Sequence, residues 1–327
     1  MKIDDLEHVF WYSKDKPVQH VFFRGFSTNV FIIDQGDELW QIDAGTSPLN
    51  RVKRLLDMIK QDGLNPDLLS RIFLTHAHAD HITGLKDLVD YAGCEVYIHE
   101  NDEEMLENDL DFTVDAMFDR FKEYDFGLMS RLPFWLLKIG TLYSMGNLPE
   151  LPPDHLLKDN DIIKGNRYSL ELVHTPGHTP GHSCYYIPEL KAMFIGDLID
   201  PEFKNKIPIN TPAADYDKFV DSVEKLLDYD VEHFLMGHAK HIYSGEETVR
   251  NIFLGALENL EKAREITIGI LKANRNSGLK LKEFSGKYPK DIWPDRTDHL
   301  AIGYSVIKSM MKRNRIKIKN KRFFLID

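Results

Sequence analysis

The sequence predicts a layered α/β fold, and three observations carry that prediction. Short apolar runs rich in β-branched and aromatic residues alternate with stretches whose apolar residues recur at helical spacing. Glycine and proline punctuate the joints between them. Titratable residues, histidine above all, gather where the predicted strands end.

The elements follow in order. "VFFRGF", "NVFIID" and "ELWQID" read as three consecutive strands within residues 21 to 44, with the turn "QGD" between the last two. "SPLNRVKRLLDMIKQDGL" is a helix by the spacing of its leucines and Ile59, stopped at Gly63, and "RIFLTH" is the buried strand that completes a β-α-β unit. "HITGLKDLVDYAG" then reads as a helix ending at Gly93, followed by the strand "CEVYIHE".

Residues 101 to about 155 break this rhythm and read as a helical insertion, acidic first and then rich in Leu, Met and aromatics. Packing against the body, a homodimer interface, a lid over a substrate pocket and contact with a membrane surface are the roles open to it. Beyond it come the strands "YSLELVHT", "SCYYIP" and "KAMFIGD", the helix "DYDKFVDSVEKLLDY" and the strand "HFLMGH".

The chain has 327 residues and a net charge of −11, yet from Arg250 onward 18 Lys and Arg stand against 8 Asp and Glu. That shift places a boundary between a body, residues 1–250, and a C-terminal domain, residues 251–327. Two helices around "LKLKEFSGKY" and the basic hairpin "KIKNKRFFLID" give the order helix, helix, helix, hairpin of a winged helix. The acidic N-terminus does not read as a signal peptide, no apolar run reaches the length of a membrane span, and Cys94 and Cys184 are too few for a disulfide framework. A cytoplasmic protein is expected.

"THAHADHITG" carries the chemistry. Imidazole and carboxylate are the donors that zinc and similar cations accept. The alternation after "RIFLT" places His76 and His78 on one side of an extended loop, while Asp80 and His81 fall in the first turn of the next helix. Two donor pairs from one loop suit two ions a few ångströms apart, the arrangement of two-metal hydrolysis. "ELVHTPGHTPGHS" adds His174, His178 and His182 between Thr-Pro-Gly turns, "MFIGD" ends in Asp197, and "HFLMGH" ends in His238. All lie where strands should end, so convergence at one sheet edge is expected. His241 competes with His238, which the strand-ending Gly-His favours; His99 and His233 read as core histidines, and Asp200 as a substrate contact.

These motifs resemble those of the metallo-β-lactamase superfamily, hydrolases with an αββα sandwich, over residues 20 to 245. The resemblance implies that His76, His78 and His178 bind a first metal and that Asp80, His81 and His238 bind a second. Asp197 would bridge both, with Asp43 of "QIDAG" behind the ligand histidines. His174 and His182 would hydrogen-bond to the ligands or serve as structural residues. Class B1 β-lactamases commonly carry Cys where Asp197 stands, and flavodiiron proteins typically carry Glu where His78 stands, so the site is closer to that of glyoxalase II and lactonases. The C-terminal segment is similar to a winged-helix appendage on some lactamase-like hydrolases.

The expected activity is therefore hydrolysis of an ester, thioester or lactone by a bridging hydroxide on two divalent ions, zinc first, with iron and manganese as alternatives. Asp80 would orient the nucleophile, and Leu128, Met129, Phe134, Trp135 and Leu136 would receive an acyl group. The alternatives are an endoribonuclease or phosphodiesterase, a mononuclear iron dioxygenase, and a winged-helix nucleic-acid binder. For the first and last of these, Lys312, Arg313, Arg315, Lys317, Lys319, Lys321 and Arg322 would meet nucleic-acid phosphates, or else form a solvated basic face.

Overall fold

The computed structural model describes residues 2–3, 6–12, 28–46, 51–107, 148–203, 207, 209, 214–293 and 296–326. Strands β1 (Lys2–Ile3), β2 (Leu6–Tyr12), β3 (Val30–Asp34), β4 (Leu39–Ile42), β5 (Leu69–Phe73), β6 (Glu95–His99) and β7 (His155–Leu157) form one sheet in that order. The pairs from β1 to β4 are antiparallel and those from β4 to β7 parallel. Strands β8 (Ile162–Lys164), β9 (Ser169–His174), β10 (Ser183–Ile187), β11 (Ala192–Phe194), β12 (His233–Leu235) and β13 (Tyr243–Ser244) form the second. There β11 and β12 are parallel and the other neighbours antiparallel.

The helices are α1 (Arg51–Gln61), α2 (Ala79–Ile82), α3 (Leu85–Ala92), α4 (Glu103–Glu107), α5 (Tyr216–Leu226), α6 (Glu246–Ala273) and α7 (Arg296–Lys312), and a hairpin of β14 (Ile316–Lys319) and β15 (Arg322–Leu325) follows. Three apolar cores separate four layers. Between the sheets lie Val9, Phe31, Ile33, Trp40 and Phe73 from the first and Leu170, Leu172, Tyr185, Phe194 and Leu235 from the second. Phe73 stands at its centre, with ring centroids 5.3 Å from Trp40, 4.7 Å from Tyr97 and 5.7 Å from Tyr185. Such pairs add about 0.5–1.5 kcal/mol each beyond area burial. Helices α1 and α3 cover the outer face of the first sheet, and α5, α6 and α7 that of the second.

Local sequence explains the covering helices. In α1 the buried residues Val52, Leu55, Leu56 and Ile59 recur at helical spacing, one apolar stripe facing the sheet. The helix expected from His81 to Gly93 is two, α2 and α3, interrupted at Thr83 and Gly84. A Cβ on Gly84 would stand 2.3 Å from the Ala44 carbonyl oxygen, so only glycine allows the helix to press against the end of β4.

The topology fixes where the polar ends meet. Parallel β4, β5 and β6 discharge their C-termini at one edge of the first sheet, and β9, β11 and β12 run in a common direction and end together in the second. The two edges are sewn together: the Ser183 N–H donates to the Thr75 carbonyl at 2.8 Å, and the Tyr185 hydroxyl to that of Leu74 at 3.1 Å.

Several expectations need revision. Strands β1 and β2 lie at one edge of the first sheet, where no strand was anticipated. "VFFRGF" lies outside the described residues, as does the insertion from 108 to 147 with Leu128, Met129, Phe134, Trp135 and Leu136. The sheet has already resumed inside the expected insertion, because β7 begins at His155 and pairs with β6. The boundary placed at 250/251 falls inside α6, whose Val249, Ile252, Phe253 and Ala256 share one core with Phe219 and Phe234 of the body. Of three expected C-terminal helices, the middle one is a 3-10 turn, Leu281–Phe284. Gly278 and Ser285 flank this short "LKLKEF" stretch, which has no room for a longer helix. Lys312 and Arg313 pair with Asp215, which caps α5, and Asp217 within it, and Arg322 with Glu283, so three of the seven basic residues face acids of the chain itself.

Candidate metal centre

Asp43, just past β4, organises the first loop. It accepts the Thr75 N–H at 2.8 Å, the Thr75 hydroxyl at 3.0 Å and the His81 Nδ1–H at 2.8 Å. Its φ of 59° is the left-handed region, which aspartate tolerates better than most residues. Binding Nδ1 of His81 fixes the ring's orientation and points Nε2 away from Asp43 and into the site.

The donors then converge from both sheets. His78 Nδ1 lies 3.0 Å from His76 Nε2 and 2.8 Å from His178 Nε2, so three imidazole nitrogens face one space. His238 Nε2 lies 3.2 Å from Asp80 Oδ2, and His81 Nε2 lies 3.9 Å from the same oxygen, giving a second trio. Asp197 stands between them: Oδ2 is 3.2 Å from His238 Nε2 and 3.7 Å from His178 Nε2, and Oδ1 is 3.4 Å from His81 Nε2. His76, His81 and Asp197 form a third, shared trio.

Burial and charge oppose each other here. Burial holds His76 well below the ordinary imidazole value and, with His178 beside it, brings His78 down to about 3, so both are neutral and able to donate a lone pair. Burial works against charge on His81 too, but Asp43, Asp197 and Asp80 outweigh it and raise it to about 10. His238 is likewise raised by Asp197, against burial. Burial disfavours ionised Asp197 and Asp80, yet neighbouring imidazoles, His238 and His81, hold both below the usual carboxylate range. The site is a buried group of carboxylates that calls for positive charge.

Metal ions fit that demand. His81 Nε2 and Asp197 Oδ1 are buried 3.4 Å apart and form no well-aligned hydrogen bond among the described residues, and polar atoms buried unsatisfied cost about 1–3 kcal/mol per group. Three imidazole nitrogens aimed at one another cannot all be satisfied by shared protons. A cation satisfies them together, and nitrogen with carboxylate oxygen is a donor set for zinc, iron or manganese.

All seven expected ligand positions therefore come together, with Asp43 behind His81. His182 supports Asp197: its Nε2 accepts the Asp197 N–H at 3.2 Å, while Nδ1 faces the Thr175 carbonyl at 3.1 Å. Between them Gly196, at φ 55°, has no room for a Cβ, which would lie 2.8 Å from His182 Nε2. His174 does not join the ligands. Its Nε2–H donates to the Pro180 carbonyl at 3.0 Å and its ring stacks on His99 at 3.8 Å, because it ends β9 on the side facing β6 rather than the metal edge. His233 faces Ser244, and His241 belongs to none of the donor trios. Asp200 Oδ1 accepts the Glu202 N–H at 3.1 Å.

Two residues escaped the sequence. Asp102, fully buried, accepts from the Ala77 N–H at 3.2 Å, the Thr179 hydroxyl at 2.7 Å and the Gly181 N–H at 2.6 Å, and burial pushes its carboxyl up. Asn29 donates its amide to the carbonyls of Met236 and Ala239, both at 2.8 Å. Neither sits in a motif; a lone Asp at the head of an acidic stretch and a lone Asn before a strand carry no spacing signal.

Comparison with known proteins agrees with this geometry. The sequence profile of the metallo-beta-lactamase superfamily matches residues 23–238. The chain is 27% identical over 232 residues to the hydroxyacylglutathione hydrolase GloC of Haemophilus influenzae, covering 70% of this chain and 88% of that one. It is 23% identical over 301 residues to the beta-lactamase-like protein 2 homolog of Drosophila melanogaster, covering 89% and 84%. Among solved structures, the metallo-beta-lactamase family protein TTHA1429 of Thermus thermophilus superposes with a TM-score of 0.76 at 16% identity, covering 98% of this chain and 99% of that one. A beta-lactamase domain protein of Burkholderia ambifaria gives 0.69 at 16% identity, over 98% and 94%. The fold, the donor set and the profile agree: the chain belongs to the metallo-beta-lactamase superfamily and is a hydrolase of that fold.

Proposed function

We propose that the protein hydrolyses a carboxylic ester, thioester or lactone at a site holding two divalent ions, zinc before iron or manganese. His76, His78 and His178 would hold one ion, Asp80, His81 and His238 the other, with Asp197 shared. The observation that carries the reading is the presence of two donor trios joined by one carboxylate. The chemistry such ions would supply there is a lowered water pKa, toward about 7, and polarisation of a carbonyl oxygen.

The chain's own groups fit a water nucleophile. Burial holds Cys94 up at about 11 and Cys184 at about 12, so neither thiol supplies a thiolate. Asp80, below the usual carboxylate range and in reach of the Thr28 hydroxyl at 3.3 Å, is an ionised acceptor at the edge of the site, suited to orient a water for attack. Similarity to a protein named a hydroxyacylglutathione hydrolase supports an acyl substrate over a phosphodiester. The pairing of Lys312, Arg313 and Arg322 with internal acids lends the phosphodiester reading no help.

The test is elemental analysis of the purified protein followed by a panel of thioesters, esters, lactones, phosphodiesters and RNA. Two metal equivalents with acyl hydrolysis are expected. Cleavage of RNA without acyl hydrolysis would overturn the substrate class.

A further inference from the structure

Asp43 backs both trios through Thr75 and His81, but two further supports divide between them. Asp102 holds Ala77, which lies between His76 and His78, and Thr179 and Gly181, which follow His178. Its carboxylate thus clamps the two loops that supply all three nitrogens of the all-histidine trio, and it touches none of Asp80, His81 or His238. The fit is close on both sides: a Cβ on Gly181 would stand 2.6 Å from the Asp102 nitrogen and 2.7 Å from its carboxylate. Asn29 does the complementary work. Besides the two amide bonds, its N–H donates to the Gly237 carbonyl at 2.6 Å, so three donors of one residue grip the turn that carries His238. Thr28, its neighbour, donates to Asp80 Oδ2.

We propose that Asp102 is a positioning residue for the His76–His78–His178 trio alone, and that Asn29 with Thr28 plays the same part for Asp80 and His238. The division rests on the two-ion reading above. It means that each position has a support of its own beside the shared Asp197 and Asp43. One support lies at the head of the segment leaving β6, and the other lies at the start of β3. A change in either place retunes one ion and leaves the other.

The experiment is a zinc titration of the metal-stripped full chain against a chromophoric chelator, in the wild type, Asp102→Asn, Thr179→Ala, Asn29→Asp and Thr28→Val. Asp102→Asn keeps the volume but turns an NH2 toward donors, and Asn29→Asp turns an oxygen toward carbonyls. Outer supports of metal ligands change affinity by about ten- to a hundredfold. Asp102→Asn is expected to weaken one binding event by that factor, the same event that His78→Ala abolishes, with Thr179→Ala weakening it less. Asn29→Asp and Thr28→Val should weaken the other event and spare the first. Equal weakening of both events by each substitution, as a general loosening of the fold would give, overturns the proposal, and so does no effect on either. The milder Thr179→Ala and Thr28→Val decide the matter if a buried variant does not fold. A wild type that binds one ion removes the two-ion reading instead. Weakening of that single event by one group of variants then upholds the division, and by both overturns it.

Discussion

Gly237 leaves open the space beside the Asp197 carboxylate: a Cβ at position 237 would stand 2.6 Å from Asp197 Oδ1 and 3.0 Å from His81 Cε1. Contacts that short force something to move, and the movable group is the carboxylate shared by both donor trios. Gly237→Ala should therefore lower zinc affinity by roughly tenfold or more, the scale of disturbed ligand support, while the far-ultraviolet circular dichroism stays unchanged. Competition with a chromophoric chelator measures it.

Asp43→Asn tests the orientation of His81. An amide in place of Oδ2 presents N–H to N–H, so the imidazole loses the bond that aims Nε2 into the site. Metal affinity should fall about ten- to a hundredfold. Acyl hydrolysis should fall with it, read as kcat at saturating substrate and added zinc.

Chelation should cost stability as well as activity. His81 Nε2 and Asp197 Oδ1 are buried without a well-aligned hydrogen bond among the described residues, and an ion that satisfies them binds the folded chain alone. Zinc at a hundred times its Kd stabilises by about 2.7 kcal/mol per site. The melting temperature of the stripped protein should rise when zinc is restored; an unchanged value would argue against an ion at these atoms.

His99 predicts a pH dependence away from the metal. Burial and the stacked His174 lower it to about 4, beneath the ordinary value of about 6.5 for an unfolded chain. Its contribution is complete above pH 6.5. As pH falls from there through about 4, the unfolded chain takes up a proton that the folded chain refuses, and roughly 1–3 kcal/mol is lost. Urea denaturation of wild type and His99→Asn between pH 7 and 4 should show a shallower loss in the variant.

What could be read from the sequence was what leaves a periodic or spacing signature. The strands β3 to β6 and β9 to β12 are dense apolar runs, and α1 and α5 show one apolar stripe each. The proposed ligands stand in short motifs of histidine and aspartate, donors that suit metal binding, and the motifs' spacing is itself a sequence signal. Residues 2–12 gave no such signal, being a short edge segment interrupted by charges. Two roles stayed open for His174 for a geometric reason: spacing within "HTPGHTPGH" treats its histidines alike, while the turns send one toward His99 and the next toward the donor trio. Asp102 and Asn29 were invisible because their partners lie 25 to 79 and 207 to 210 residues away.

Each donor trio draws from both sheets: His76 and His78 with His178, Asp80 and His81 with His238, His76 and His81 with Asp197. During synthesis the first loop emerges a hundred residues before its first partner, and the last donor, His238, follows by sixty more. A nascent chain thus carries four would-be ligands that complete no trio until the second sheet has docked. Ion capture at these donors would then mark the completion of assembly, and the proposed chemistry would switch on only in a finished body. An ion that joins early and late segments also resists their separation, so stripping it should let the two sheets part more easily under force or protease.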